Sequence, residues 1–402
     1  MRIDRHSTPP LFSHRRSRQR GGCLPLLMLL AVLSGLLFVS RDRLADWLLT
    51  LPQAIPDHGR LSAALASGDL DNAVRLARQR LEVYPDDGFS LILLVRALIY
   101  RSYVDYDTEP DRRQALQLTT SAYNRPEMRA VIRGAHALAL QANGRSREAS
   151  QMALAAIQRD PDDMPARLAL ALSYANQGLF EVALREAGKA VEIAQRAAPD
   201  WQADAYRALA ITHSDLGRYD NASSSIAQAI SHNRRLIPLH FERALYALQV
   251  GDKNAATAAY FQVIAFEPDN AKAHLRLCEI SITLREREAA LRYCNHATEL
   301  APGWSDAWYQ LGREHFLQGS MANALRALNR CSTLQVLQNV PVEERRFECW
   351  YWQGQAAEAL GDCEALLSAY NQFQAMSTIV NLPQTWTYPP EGPAMCLTPP
   401  VN

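Results

Sequence analysis

A dominant charge of one sign is what this 402-residue chain lacks: 42 Lys and Arg stand against 42 Asp and Glu, a formal net charge of zero. A balanced chain has no long-range field that would draw nucleic acid to it as a whole. Low hydrophobicity is also missing, since 48% of residues are hydrophobic and 21% charged, which excludes a disordered polymer. The phosphate loops G-x-x-x-x-G-K-[ST] and G-x-G-x-x-G do not occur, nor do H-E-x-x-H, G-x-S-x-G or C-x-x-C. The strong signatures of nucleotide binding, zinc peptidases, serine hydrolases and dithiol redox sites are therefore absent.

Long apolar runs are scarce. One stands near the start, Leu24 to Val39, without a charge. With Gly21, Gly22, Cys23 and Ser40 it reaches the roughly 20 residues that span a bilayer. Arg2, Arg5, Arg15, Arg16, Arg18 and Arg20 precede it against Asp4 alone. That asymmetry predicts a basic cytoplasmic tail over 1–21, a transmembrane anchor over 22–40, a juxtamembrane linker over 41–53 and an extracytoplasmic remainder. A cleaved signal peptide is the rival, but Val39-Ser40 makes a poor cleavage site. Cys23 precedes the apolar run and so does not suit a lipoprotein. A second apolar run, Phe89 to Tyr100, is interrupted by Arg96 and reads as a core helix.

What is present is an internal repeat. Gly followed within a few residues by Ala recurs as Gly68 and Ala73, Gly144 and Ala149, Gly178 and Ala183, Gly217 and Ala222, Gly251 and Ala256, and Gly319 and Ala324. Often a Pro follows about twelve residues later, as at Pro85, Pro161, Pro268 and Pro302. From Gly217 to Gly251, to Arg285, to Gly319 is 34 residues each time. A fixed period of this length signals stacked supersecondary units.

The pattern resembles the tetratricopeptide repeat, W-x2-L-G-x2-Y, then A-x3-F, A and P over 34 residues; its best copy is Trp308, Leu311, Gly312, His315, Gly319, Ala324 and Leu328. Nine units starting at 54, 88, 130, 164, 203, 237, 271, 305 and 347 tile residues 54–380. The resemblance implies an all-α fold, a right-handed superhelical solenoid of about nine helix-turn-helix units after the N-terminal transmembrane helix. Small residues at slots 8 and 20 let backbones approach, Gly at slot 15 turns the chain in the left-handed region, and Pro at slot 32 ends the second helix. Extra residues fall near Ser102 to Asp111, Arg196 to Asp200 and Gln338 to Arg346. The Pro-rich tail, 381–402, is expected to lie extended over the last unit.

Slots 2, 5, 9, 12 and 13 of the first helices are the family's ligand-facing positions. They present Phe241, Lys272, Glu279, Tyr309, Arg313, Phe316, Tyr351 and Gln355 as candidate partner-binding residues, with Leu168, Leu172, Arg207 and Ile211 in earlier units. Aromatic residues beside Arg are the usual anchors of an interface, although the apolar ones also suit packing between units. The Asn at slot 9 that clamps chaperone carboxyl tails in this family is replaced by Leu172, Ile211, Leu245, Glu279 and Arg313.

Six cysteines, Cys278, Cys294, Cys331, Cys349, Cys363 and Cys396, lie on the proposed outer side, an even number that suits disulfides in an oxidising compartment. Cys278 and Cys294 occupy slots 8 and 24 of one unit, Cys331 and Cys349 flank a long connection, and Cys363 with Cys396 would pin the tail. The alternative is that Cys278 and Cys331 merely fill Ala slots. The histidines do not cluster: His136, His213, His240, His274 and His315 fall at packing slots. No metal, cofactor or catalytic residue is assigned. The expected function is a non-catalytic scaffold or adaptor that binds a protein or extended peptide in its groove, without nucleic acid, in prokaryotic envelope assembly. A glycan-binding envelope receptor and an accessory subunit of an envelope enzyme are the rivals.

Overall fold

The computed structural model describes residues 55–397; the proposed tail, anchor and linker at 1–53 lie outside the described residues. From Pro56 onward the chain forms one compact unit, and its described residues contain helices and no strand. No helix among them is long and apolar enough to cross a membrane.

Eighteen helices form nine antiparallel pairs. The first three pairs are α1 His58–Ala66 with α2 Leu70–Val83, α3 Gly88–Arg101 with α4 Pro110–Tyr123, and, after the short α5 Pro126–Arg129, α6 Arg133–Ala142 with α7 Ser146–Ile157. Next come α8 Met164–Asn176 with α9 Phe180–Arg196, α10 Gln202–Asp215 with α11 Tyr219–His232, and α12 Ile237–Gln249 with α13 Lys253–Phe266. The last are α14 Ala271–Leu284 with α15 Arg287–Leu300, α16 Ser305–Leu317 with α17 Met321–Leu337, and α18 Glu348–Leu360 with α19 Cys363–Ser377. A short α20, Ala394–Leu397, ends the described chain.

Local chemistry explains the boundaries. Asp57, Asp69, Asp87, Asp163, Asp252, Asn270 and Asp362 cap helices by accepting from the backbone N–H three residues on, satisfying a donor that the helix leaves free. Between the two helices of most pairs sits Gly at φ near +75°, as at Gly68, Gly144, Gly178 and Gly217. At the same turn of the seventh pair Arg285 takes φ +62°.

Small residues let the helices of each pair approach. Ala171, Ala210, Ala244 and Cys278 are fully buried, and a Cβ built on Gly312 would stand 2.6 Å from Leu328 Cγ. Side chains larger than these slots would overpack the joint. One apolar core runs from Leu61 through Ala166 and Leu239 to Ala273, while a separate core gathers Tyr309, Leu328, Trp350, Phe373 and Trp386. Stacked repeats ordinarily touch only their neighbours. Here the first two pairs also meet later ones: Asn233 Nδ2 donates to the Leu65 carbonyl at 3.2 Å, and Arg96 of α3 reaches Asp204 of α10.

Candidate partner-binding groove

The first helices α8, α10, α12, α14, α16 and α18 carry the slots expected to face a partner. Across α10, α12 and α14 that face is already covered by this chain's own residues 102–109, the connection between α3 and α4. Asn270 Nδ2 donates to the Val104 carbonyl at 3.0 Å, and Lys272 Nζ donates to the Tyr103 carbonyl at 2.7 Å. The Asp105 carboxylate accepts from the backbone N–H groups of Ala271 and Lys272, each at 3.1 Å. It sits at the N-terminus of α14, where free N–H groups and the helix dipole favour an anion. Tyr106 stacks on Trp304 with ring centroids 5.0 Å apart.

α3 anchors this covering from behind. Arg96 donates to Asp204 at 2.9 Å through Nε and again through Nη2, donates to the Asp200 carbonyl at 2.6 Å, and lies 4.3 Å from the Trp201 ring. Arg207 donates to Glu242 at 2.7 Å and lies 5.2 and 5.3 Å from the rings of Tyr100 and Tyr103. Burial lowers the Lys272 ammonium to about 8, helped by Arg276 and opposed by Asp105 and Glu242. Burial also raises the Asp105 carboxyl, although the three backbone N–H groups it accepts from pull it down.

Lys272 and Phe241, read from the sequence as partner-facing, thus serve the chain itself, with Lys272 Nζ 4.4 Å from the Phe241 ring. Glu279 is engaged too, accepting from Arg276 at 2.7 Å and from Gln310 at 3.4 Å.

Across α16 and α18 the same slots are differently placed. Tyr309 is 8% exposed and lies under the Arg346 guanidinium, 4.7 Å from its ring. Arg346 donates to Asp306 at 2.7 Å, so the third insertion buttresses Tyr309. Burial raises the Tyr309 phenol. Phe316 packs edge-on against Trp352 at 4.8 Å, and Tyr351 meets Trp352 at 5.6 Å. Arg313 and Gln355 are partly exposed, and among the described residues neither makes a hydrogen bond or ion pair.

The tail closes the far end. Trp386 is 7% exposed and packs against Tyr351, Tyr370 and Phe373 at 5.8, 5.1 and 5.6 Å. Gly354 makes room for it: a Cβ there would stand 1.9 Å from the indole. Tyr388 donates its hydroxyl to Glu358 at 3.0 Å and its backbone N–H to the Tyr370 hydroxyl at 3.1 Å. Disulfides join Cys278 to Cys294, Cys331 to Cys349 and Cys363 to Cys396, with Cα atoms 5.2, 5.9 and 5.5 Å apart. Cys278, Cys294, Cys331 and Cys349 are fully buried, whereas Cys363 and Cys396 are partly exposed.

The histidines act locally. His240 and His274 bond the carbonyls of Arg234 and Pro268 at 2.8 Å, and His136 meets the Thr119 hydroxyl at 3.0 Å. No group of three or more His, Cys, Asp or Glu among the described residues could hold a metal ion. Sequence reasoning missed Arg96, Asp204, Asp105 and Trp304. The available signal was Arg96 itself, a cation inside an apolar helix that needs a buried carboxylate.

Residues 135–200 match the family model described as tetratricopeptide repeat. No curated protein matches the chain. A chain of the APC/C hetero-tetramer Cut9-Hcn1 is similar in structure, with a TM-score of 0.54 at 14% identity over 78% of this chain and 59% of that one. This chain therefore spans 59% of that neighbour's length, and the likeness concerns the fold alone. PilF of Pseudomonas aeruginosa is matched at a TM-score of 0.43 and 15% identity, over 56% of this chain and 96% of that one. YrrB, described as a TPR protein with an unusual peptide-binding site, is matched at 0.36 and 18%, over 46% and 92%. The described residues form an all-helical, tetratricopeptide-like solenoid whose segment 135–200 matches the repeat family itself.

Proposed function

We propose that this protein is a non-catalytic scaffold that binds a protein or extended peptide across α16 and α18, where Arg313 and Gln355 make no hydrogen bond or ion pair among the described residues. The observation that carries this reading is the contrast within one face. Over α14 the groove holds a turn of the chain by its carbonyls and a carboxylate, using Asn270, Lys272 and a helix N-terminus. On α16 and α18 Arg313 and Gln355 lie one helical turn from Phe316 and Tyr351, and neither makes a hydrogen bond or ion pair among the described residues. A directed cation and an amide donor next to aromatic area are what an interface anchor requires.

The same reading places the repeats outside the cytoplasm, tethered by residues 22–40. Three disulfides support an oxidising compartment, and the arginines before the apolar run support the orientation. Tethering would raise the effective concentration toward membrane-bound partners in envelope assembly without a new contact.

The test is crosslinking and capture from native membranes with wild type, an Arg313→Ala/Gln355→Ala variant and a Lys272→Met control, each checked for folding by circular dichroism. The reading expects specific proteins to vanish with the first variant and persist with the control. Retention of the same proteins by the folded Arg313→Ala/Gln355→Ala variant would overturn it.

A further inference from the structure

The last pair of a stack has no successor. At earlier joints, as where α10 follows α8 and α9, the next first helix packs against both helices of the pair before it. Beyond α18 and α19 that place is taken by the tail, which crosses it without forming a helix: Trp386 packs on Tyr351, Tyr370 and Phe373 over the gap at Gly354. The tail's backbone is gripped as well as its rings. Gln374 Nε2 donates to the Trp386 carbonyl, and the Tyr370 hydroxyl accepts from the Tyr388 N–H at 3.1 Å. The Tyr388 hydroxyl donates to Glu358 at 3.0 Å. Tyr351 and Glu358 stand at slots 5 and 12 of α18, both ligand-facing in the repeat pattern. An aromatic anchor in a pocket, with the backbone beside it bonded, is how a domain holds a peptide segment; here the segment is the chain's own residues 386–388.

Little else holds the tail. Of residues 379–397 only Trp386 and Pro393 are buried, and the far end is pinned by the bridge from Cys396 to Cys363. The three bridges among the described residues differ in access. Cys278, Cys294, Cys331 and Cys349 are fully buried, out of reach of an attacking thiolate, while Cys363 and Cys396 are partly exposed. Thiol exchange needs access to a sulfur, so of the three only the tail bridge is open to it. While that bridge is intact it closes a loop, and the loop keeps the effective concentration of Trp386 at its pocket high.

We propose that the pocket on α18 and α19 is a site for a partner segment carrying Trp and Tyr two residues apart, that residues 386–388 occupy it as an internal stand-in, and that the Cys363–Cys396 bridge latches the stand-in in place. A dithiol opens the latch. One of its thiolates attacks a bridge sulfur, breaking the S–S bond and forming a mixed disulfide; its second thiolate displaces the remaining cysteine and closes a cyclic disulfide. Two electrons and the dithiol's two protons pass to Cys363 and Cys396, which end as thiols. The tail, then joined only through its connection to α19, exchanges with the partner segment. The site uses neither Arg313 nor Gln355 and stands whether or not they bind a partner.

The test uses the purified full chain in non-ionic detergent and a fluorescein-labelled peptide of the tail's own sequence, Leu-Pro-Gln-Thr-Trp-Thr-Tyr-Pro, read by anisotropy. Oxidised wild type is expected not to bind it. A Cys363→Ser/Cys396→Ser/Trp386→Ala variant, whose fold circular dichroism verifies, is expected to bind it saturably, and about tenfold or more weakly once the peptide's Trp is replaced by Ala. Wild type treated with dithiothreitol should gain binding in step with alkylation of Cys363 and Cys396, mapped by mass spectrometry, while the four buried cysteines stay unmodified. Equal binding by oxidised wild type and the variant, or none by the folded variant, would overturn the site. Reduction of a buried bridge before the tail bridge, or reduction of Cys363 and Cys396 without a gain in binding, would overturn the latch.

Discussion

Two stretches of one face, built from the same repeat, have different contents. Over α10, α12 and α14 the slots meet residues 102–109, and one core joins Leu61 to Ala273. Over α16 and α18 they meet aromatic rings, Trp352 and the tail's Trp386 among them, in a core of their own around Trp350 and Phe373. The difference teaches that a tetratricopeptide-like groove can be closed by insertion. A connection lengthened at the second turn makes the early units globular in character, and the late ones keep the nearest-neighbour logic of a solenoid.

The largest test of that contrast is Arg96→Met. Arg96 and Asp204 have side chains 8% and 6% exposed, so the substitution leaves Asp204 buried without its cation. Breaking such a pair costs about 3–5 kcal/mol, read as a lowered denaturant midpoint. Chemically similar removal of Arg313, which has no ion pair among the described residues, is expected to leave the midpoint unchanged. Equal effects would mean that the N-terminal pairs do not depend on this anchor. Next comes Gly354→Val at the other end, where even a Cβ would meet the Trp386 indole at 1.9 Å. Overpacking of about 1–3 kcal/mol is expected together with displacement of the tail, seen as faster proteolysis after Thr378. A tail that stays protected would show that Cys363 and Cys396 hold it without Trp386.

The sequence made the repeat legible because its rules are local. Gly at the turn, Ala at the joints and the period between them survive in the helices with shifts of only a few residues. The slots also set Cys278 against Cys294 across one pair, and the structure bonds them. The three departures from the period were visible as surplus residues, but their destinations were not. Asp105 meets Ala271 across 166 positions, and a pattern that specifies contacts between neighbouring units is silent about contacts that skip four of them. For the same reason the repeat pattern could not point to the Tyr103 carbonyl as the partner of Lys272.

Lys272 also gives the comparison a pH dependence. Its ammonium sits at about 8 in the fold against 10.5 for the free side chain. Between these values the unfolded chain binds a proton that the folded chain does not, so this lysine makes stability rise with pH. The contribution is complete above the unfolded value and is lost as pH falls through about 8. Unfolding of wild type and Lys272→Met from pH 7 to 10 is the measurement. The wild type should gain on the variant as pH rises, and a parallel pair of curves would mean that the ammonium is solvated and residues 102–109 do not cover it.

The smallest expected effect lies where the filled and open stretches meet. Arg285 holds φ +62° at a turn where Gly68, Gly217, Gly251 and Gly319 occupy the equivalent place. A side chain in the left-handed region strains the backbone, whereas Gly enters it freely. Arg285 forms no ion pair among the described residues, so nothing there offsets the strain. Arg285→Gly should stabilise the seventh pair by about 0.5–1 kcal/mol, the strain relieved less the added freedom of the unfolded chain. Hydrogen exchange resolves where the gain falls. In a solenoid the added protection is confined to α14, α15 and the adjoining α16, whereas a globular unit would spread it back to α3 through Asp105 and Lys272. Protection that reaches α3 but not α18 would set the boundary between the two regimes at this turn.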